Sequence, residues 1–328
     1  MGVPENKLPD GVSMELVYDA ITESGYPLQL EIADIIGTTC SVQHEWAYED
    51  ADTAATRSLD ILASRKFYDL RKDPRVYPAA QVLIECKRSL LPHVFFVPNG
   101  RPPAAELPMV CGVHDQRIVV HLEKENRANA IGLNRLIIPE HDAFLSTPPS
   151  CFTFSKAKRK GKNLELCGSE AFQGLIQPLT KAMIHYQKAR KPRKTFLYFS
   201  IDLAFSIGVI DGPMLKFQGG QLSYSPWIRV FRHEHVPVED GPSYGRQIAV
   251  DVVHKEFLGE YIESYLAPFC ARIAETTLAH EIEIAEREAV AADFSQAWAG
   301  KIRPVEAVRN AQKIRVDALD PHVKGAVD

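Results

Sequence analysis

The chain has 328 residues, about two domains' worth at ~150 residues per domain. At 45% hydrophobic and 24% charged it has ample material for a core, which excludes a disordered, collagen-like or coiled-coil chain. Its 38 Lys and Arg against 42 Asp and Glu give a formal charge of −4, the wrong overall sign for a basic nucleic-acid binder.

Ser13 is a good N-cap for a helix over 13–24, which closes before Gly25. Pro27 opens a second helical segment, PLQLEIADIIG, ending at Gly37. From Cys40 the pattern changes. CSVQHEWAY, RSLDILA (57–63) and AAQVLIECKRS (79–89) read as three strands, the third strongly apolar until its C-terminal end. FYDLRKDPRVYP, rich in Pro and charge, predicts an antiparallel connection between the second and third. Residues 98–168 read as an insertion, with RIVVHLE and RLIIP as short strands and a basic run at SKAKRKGK (155–162). SEAFQGLIQPLTKAMIHYQKARK (169–191) has the period of an amphipathic helix, with Pro178 as a kink. TFLYFSI and AFSIGVI are expected as two buried strands, Gly219-Gly220 as a hairpin turn, and WIRVFRHEHV as further β-structure. From about Asp251 the chain is expected to be helical and divided at Pro268, with the last 28 or so residues as a tail. The organisation expected is a domain over 13–250, with 98–168 as its insertion, and a C-terminal helical extension and tail over 251–328.

The six cysteines form no C-x-x-C pair, so neither a zinc ribbon nor a redox dithiol is suggested. The N-terminal MGVPENKLPDG lacks a basic stretch followed by an apolar run. The longest apolar stretch, 196–210, contains Asp202 and falls short of a ~20-residue span. The expectation is a soluble cytoplasmic protein with reduced thiols and no membrane contact.

The chemistry concentrates where RSLDILA meets QVLIECKRS. Residues i and i+2 on a strand share a face, so Glu85 and Lys87 point together while Cys86 points into the core. If the two strands pair antiparallel, Asp60 joins them. Two carboxylates converging at a sheet end repel, which raises one pKa unless a cation lies between them. Oxygen donors favour a hard ion, Mg²⁺ or Mn²⁺. A lysine beside such an ion can act on the attacking water or neutralise charge on a phosphate in flight.

These residues resemble the PD-(D/E)XK nuclease superfamily, the restriction-endonuclease-like fold. Asp60 matches its first acid and Glu85-Cys86-Lys87 its E-x-K, within a helix, strand, R-x-L-D-I-x-A, apolar-apolar-E-C-K-x-S order. The resemblance covers residues 27–95 well and 169–230 loosely. Leu59 stands where the family's name has proline, and the spacing from Asp60 to Glu85 implies an extended loop over 65–79. The resemblance implies an α/β core with a mixed central sheet flanked by helices. It also implies a metal-dependent endonuclease acting on DNA, with RNA left open, in restriction, phage defence or repair. Asp60, Glu85 and the carbonyl of Cys86 would hold the metal, and Lys87 would act on the water. Members often carry a further helical glutamate, for which Glu31 is the best match; its alternative is a helix-surface ion pair. Gln173 and Gln177 resemble helical glutamines near the site in some members, the alternative being an exposed helix face.

The basic residues cluster in two runs, Lys156, Lys158, Arg159, Lys160 and Lys162, then Lys188, Arg190, Lys191, Arg193 and Lys194. They read either as a patch that tracks phosphates or as solvated loop and helix ends. His233 and His235 share a strand face and form either a metal pair or an edge-strand face. His280-Glu281 begins an H-E-x-x-H run that fails at Ile284. Tyr261, Tyr265 and Phe269 at helical spacing predict core. Two rival readings stand beside the nuclease: an idle nuclease-like module that binds nucleic acid or serves assembly, and an interaction protein that forms a homodimer through its acidic C-terminal helices.

Overall fold

The computed structural model describes residues 6–100, 107–113, 115–124, 127–192, 199–238 and 241–305, with backbone alone at 199, 234–238 and 241–246. Ser13 caps helix α1 (Met14–Glu23) by accepting from the Leu16 N–H at 3.2 Å. Helix α2 (Tyr26–Gly37) carries Pro27 in its first turn and buries Leu28, Ile32, Ala33 and Ile36 along one stripe. Three antiparallel strands follow: β1 (Ser41–Glu49), β2 (Thr56–Lys66) and β3 (Val76–Arg88).

β3 leads into the centre of a mixed sheet. It pairs in parallel with β4 (Phe199–Asp211), and β4 pairs in parallel with β6 (Gly241–His254). β5 (Trp227–Val238) runs antiparallel to β6. Among the described residues the sheet has eight strands, in the order β1-β2-β3-β4-β6-β5 and then Ser150–Cys151, while Met109–Cys111 pairs with the first half of β4. Two layers cover it. On one face α2 packs with Tyr261, Phe269, Cys270 and Ile273 of the C-terminal helices. On the other lies helix α3 (Gln177–Ala189), with Leu179, Ala182 and Met183 buried. A fully buried side chain of the size of Leu179 or Met183 contributes about 1.5–3 kcal/mol of transfer free energy.

Where β3 and β4 end, the two strands turn together. The Ser89 N–H donates to the Asp211 carbonyl at 2.9 Å, and a Cβ on Gly212 would lie 2.0 Å from the Ser89 carbonyl oxygen, so no larger residue fits. The pair continues as His93–Phe96 and Met214–Gln218 inside a five-stranded sheet completed by Thr153–Lys160, Asn163–Cys167 and Gln221–Tyr224. Gly219 and Gly220, with φ of 58° and 79°, make the hairpin turn expected of them.

Several expectations are corrected. The connection after β2 is residues 67–75, not an extended loop over 65–79, because Lys66 and Ala79 already pair. RLIIP belongs to a turn of helix, Leu133–Ile137, whose buried Leu133 and Ile137 are spaced for one helix face. TFLYFSI and AFSIGVI do not make two strands. The described part is one strand, β4, and Asp202 within it is no break because Tyr186 Oη and Arg190 Nε donate to it at 2.8 and 2.7 Å. Helix does not begin near Asp251; β6 runs to His254, with Val250, Val252 and Val253 buried as a central strand requires. Region 98–168 supplies Met109–Cys111 and Ser150–Cys151 to the main sheet itself. The stretch 288–291, inside the expected helical extension, is a strand pairing in parallel with Arg117–Leu122.

Tyr261, Tyr265 and Phe269 are core, as their spacing predicts. Trp227 stacks edge-on against both tyrosines. The apolar face of the C-terminal helices is thereby buried against the chain's own sheet. Among the described residues no helix is long and apolar enough to cross a membrane.

Candidate active site

The ladder between β2 and β3 runs from Lys66 opposite Ala79 to Ile61 opposite Ile84, and there the registered pairing ends. Asp60 and Glu85 are the next residues across from each other. The Cys86 N–H, which a longer ladder would satisfy with a carbonyl, instead donates to Asp60 Oδ2 at 2.6 Å. Gln29 of α2 donates its side-chain amide to Asp60 Oδ1. The carboxylate thus closes the gap where the strands part.

The pleat slips at the same place. Leu59 packs in the core under α3 and Ile61 in the core under α2, although residues two apart on a regular strand share a face. β1 slips in step: Val42 packs on the α2 side and Trp46 on the α3 side. Between His44, paired with Ile61, and Trp46, paired with Leu59, lies Glu45 with φ of 47°, an unusual conformation for a side-chain-bearing residue. Irregularities of this kind re-aim side chains and concentrate at sites.

Glu85 and Lys87 project to the α3 side. Lys87 Nζ donates to Glu85 Oε1 at 2.7 Å. Burial, and then the charge of Asp60, push the Glu85 carboxyl up to about 7 against the pull of Lys87. Burial also raises Asp60, opposed by the Cys86 N–H and by Lys87. For Lys87 burial works downward but is outweighed by Glu85 and Asp60, so it stays a firmly protonated ammonium. Burial pushes the Cys86 thiol far up, leaving it chemically quiet.

Glu85 opens onto a cavity of about 300 Å³, walled by Tyr48, Arg57 and Ser58 from β1 and β2, and by Gln173, Gln177 and Lys181 opposite. The expected helix over 169–191 is interrupted by a π-helical turn, Phe172–Ile176, immediately before α3. Pro178 has no N–H to bond back along the helix, so the preceding turn opens out there. Gln173, which is exposed, and Gln177 line the cavity together. Lys87 Cε runs past Gly174 of that turn, 4.0 Å from where a Cβ would sit.

The other candidates fall elsewhere. Glu31 is half-exposed and pairs with Lys255 at 3.4 Å; it is Gln29, two residues earlier, that reaches Asp60. Lys156, Lys158, Arg159 and Lys160 lie on a strand of the second sheet, where Lys158 pairs with Glu170 and Lys160 with Glu165 at 3.2 Å. Lys188 and Lys191 are exposed at the end of α3. Arg190 is drawn to the buried Asp202. Arg193 and Lys194 lie outside the described residues, as do the side chains of Glu234 and His235, while His233 stacks on Phe152.

Gln29, Glu45, Arg57 and Lys181 were not singled out by sequence reasoning. Arg57 stood inside the R-x-L-D string without a role, and Lys181 continues the four-residue spacing of Gln173 and Gln177. Among the described residues no group of three or more His, Cys, Asp and Glu donors gathers closely enough to hold a metal. Asp60 and Glu85 nonetheless fit a hard ion that binds through one or two carboxylates and keeps water or substrate oxygens for the rest of its shell. Burial, and then the charge of Asp60, disfavour ionised Glu85, a cost that a cation between the two carboxylates would offset.

The fold defines a mixed α/β protein, with a central mixed sheet flanked by helices. No family model, curated protein or solved structure matches the chain.

Proposed function

We propose that this protein is a metal-dependent phosphodiester hydrolase acting on DNA, built on a restriction-endonuclease-like core. The observation that carries the reading is the opposition of Asp60 and Glu85 where β2 and β3 part, with the Lys87 ammonium 2.7 Å from Glu85 on the cavity wall. Asp60, Glu85 and the Cys86 carbonyl would hold Mg²⁺ or Mn²⁺. The ion, when bound, supplies Lewis acidity and a more acidic bound water. The chain's own contribution is positional. The Cys86 N–H and Gln29 fix the Asp60 carboxylate, so it meets its ligand without reorganising. Lys87, held as an ammonium, orients the attacking water by donating to it and offsets charge on the phosphate.

The test is cleavage of duplex, branched and single-stranded DNA, and of RNA, with Mg²⁺ or Mn²⁺. Lys87→Ala and Asp60→Asn are each expected to lose at least about a hundredfold in rate, the scale of a positioned acid, base or electrostatic group. Full activity in either variant removes the assignment.

A further inference from the structure

The cavity beside Glu85 carries two cations that the hydrolytic group does not use. Arg57 lies on β2 three residues before Asp60, and Lys181 lies on α3 one turn beyond Gln177. One fully buried carboxylate holds both, and the exposed Asp52 takes Lys181 a second time at 3.1 Å. Asp50 accepts Lys181 Nζ at 2.9 and 2.8 Å through its two oxygens and Arg57 Nε at 2.7 Å. Asp50 is itself fixed by the turn it begins. Its N–H donates to the Ala55 carbonyl at 2.9 Å, the Asp52 N–H donates to Oδ1 at 3.1 Å, and the Ala54 N–H donates to its carbonyl at 2.8 Å.

The mode of contact leaves the outer edge of Arg57 available. Asp50 takes only the Nε edge of the guanidinium. The two terminal nitrogens have no protein partner among the described residues, and the side chain is 51% exposed. A planar fork locked at its inner edge offers two parallel N–H donors, the geometry that suits a phosphate rather than a single carbonyl. Lys181, 18% exposed, stands on the opposite wall with its three N–H groups shared between Asp50 and Asp52, so the open donors are those of Arg57. Ser58, Gln173 and Gln177 add neutral hydrogen-bonding groups around the same space. With Glu85 on the wall, this space adjoins the position of the reacting phosphate.

We propose that the cavity is a phosphate subsite, in which the outer edge of Arg57 binds the phosphate next to the scissile one, and Asp50 positions Arg57 with Lys181 as its counter-charge. The substrate is then a polynucleotide, read through its backbone, and not an isolated phosphodiester. This rests on the hydrolase reading for the identity of the scissile phosphate.

Binding is measured separately from hydrolysis, by fluorescence anisotropy of a short labelled DNA duplex and of its single strand in EDTA across a salt series. Arg57→Gln is expected to weaken binding about tenfold and to lower the slope of log affinity against log salt by about one, the loss of one phosphate contact. Lys181→Met, which removes a cation already held by Asp50 and Asp52, is expected to weaken binding less than Arg57→Gln. Arg57→Lys, which keeps the charge and loses the fork, falls between wild type and Arg57→Gln. Asp50→Asn is expected to raise KM for DNA more than it lowers kcat and to flatten the same slope. A loss of fold alone would lower the active fraction and leave both KM and slope as they were. Thermal melts accompany every variant. Wild type that fails to bind DNA at low salt, or folded Arg57 and Lys181 variants that bind with unchanged affinity and slope, overturn the subsite. A wild type that binds through Arg57 but hydrolyses nothing with Mg²⁺ retains the subsite and removes the hydrolase.

Discussion

Replacing Glu85 by Gln removes a charge that burial disfavours. Burial and the charge of Asp60 raise this carboxyl from its ordinary 4.5 to about 7. In the unfolded chain it ionises near 4.5, so between these values the folded protein binds more protons than the unfolded one. Stability therefore falls as pH rises through this window, and the cost is fully present above about pH 7. At ~1.4 kcal/mol per pKa unit the shift is worth roughly 3 kcal/mol, most of it gained between pH 5 and pH 8. The side chain is only 9% exposed, so solvent screening does not erase the effect. In Glu85→Gln that cost is absent at every pH. The pull of Lys87 on the ionised form is already contained in the value of about 7, so replacing the neutral carboxyl by an amide shifts the variant by a constant amount. Urea unfolding of both proteins at pH 5 and pH 8 without metal is expected to show the variant gaining about 2–3 kcal/mol on the wild type over that range. A difference that stays flat with pH would mean that Glu85 ionises like an ordinary carboxylate, and the argument for two carboxylates in electrostatic conflict would fail.

Three further outcomes test other parts of the structure. Arg229 donates to Asp251 through Nε and Nη2 at 2.7 and 2.9 Å inside the core, with Tyr261 Oη as the other donor at 2.8 Å, so Arg229→Met leaves a buried charge short of its partner. Calorimetry should find that variant less stable by about 3–5 kcal/mol. Gly112 has φ of 80°, and a Cβ there would lie 2.2 Å from the Ser200 carbonyl oxygen, so Gly112→Ala is expected to cost more than about 1 kcal/mol in chemical denaturation. Mg²⁺ or Mn²⁺ is expected to raise the melting temperature of the wild type at pH 8, and not of Glu85→Gln, because an ion that binds only the folded state stabilises it; equal shifts in the two proteins would place the ion elsewhere.

The first part of the fold was legible because its signals are local. Ser13, Pro27, the alternation after Cys40 and the Pro- and charge-rich connection each specify their own few residues, and α1, α2 and β1–β3 follow. The glycine pair at 219–220 belongs with them. The errors fell where short apolar runs admit either period: Leu133–Ile137 is helix and Glu288–Ala291 is strand, chosen by what each segment packs against. β6 was missed for a related reason. Central strands are apolar on both faces, so the DVVH at its end carried no alternation to mark it as strand.

By itself the sequence determined that Glu85 and Lys87 share a face, because E-x-K at the polar end of an apolar strand puts both side chains on one side whatever surrounds it. Asp60 joined them only on the condition that the two strands pair antiparallel. Tertiary structure decided what that group touches. Gln29 and not Glu31 meets Asp60, since the choice depends on how α2 rotates over the sheet. Asp50 meets Lys181 across 131 positions of chain, a contact no local pattern encodes. The raised Glu85 carboxyl is likewise a tertiary property: beside Asp60 in water it would titrate near its ordinary value, and burial beneath α2 and α3, with the Asp60 charge second, shifts it.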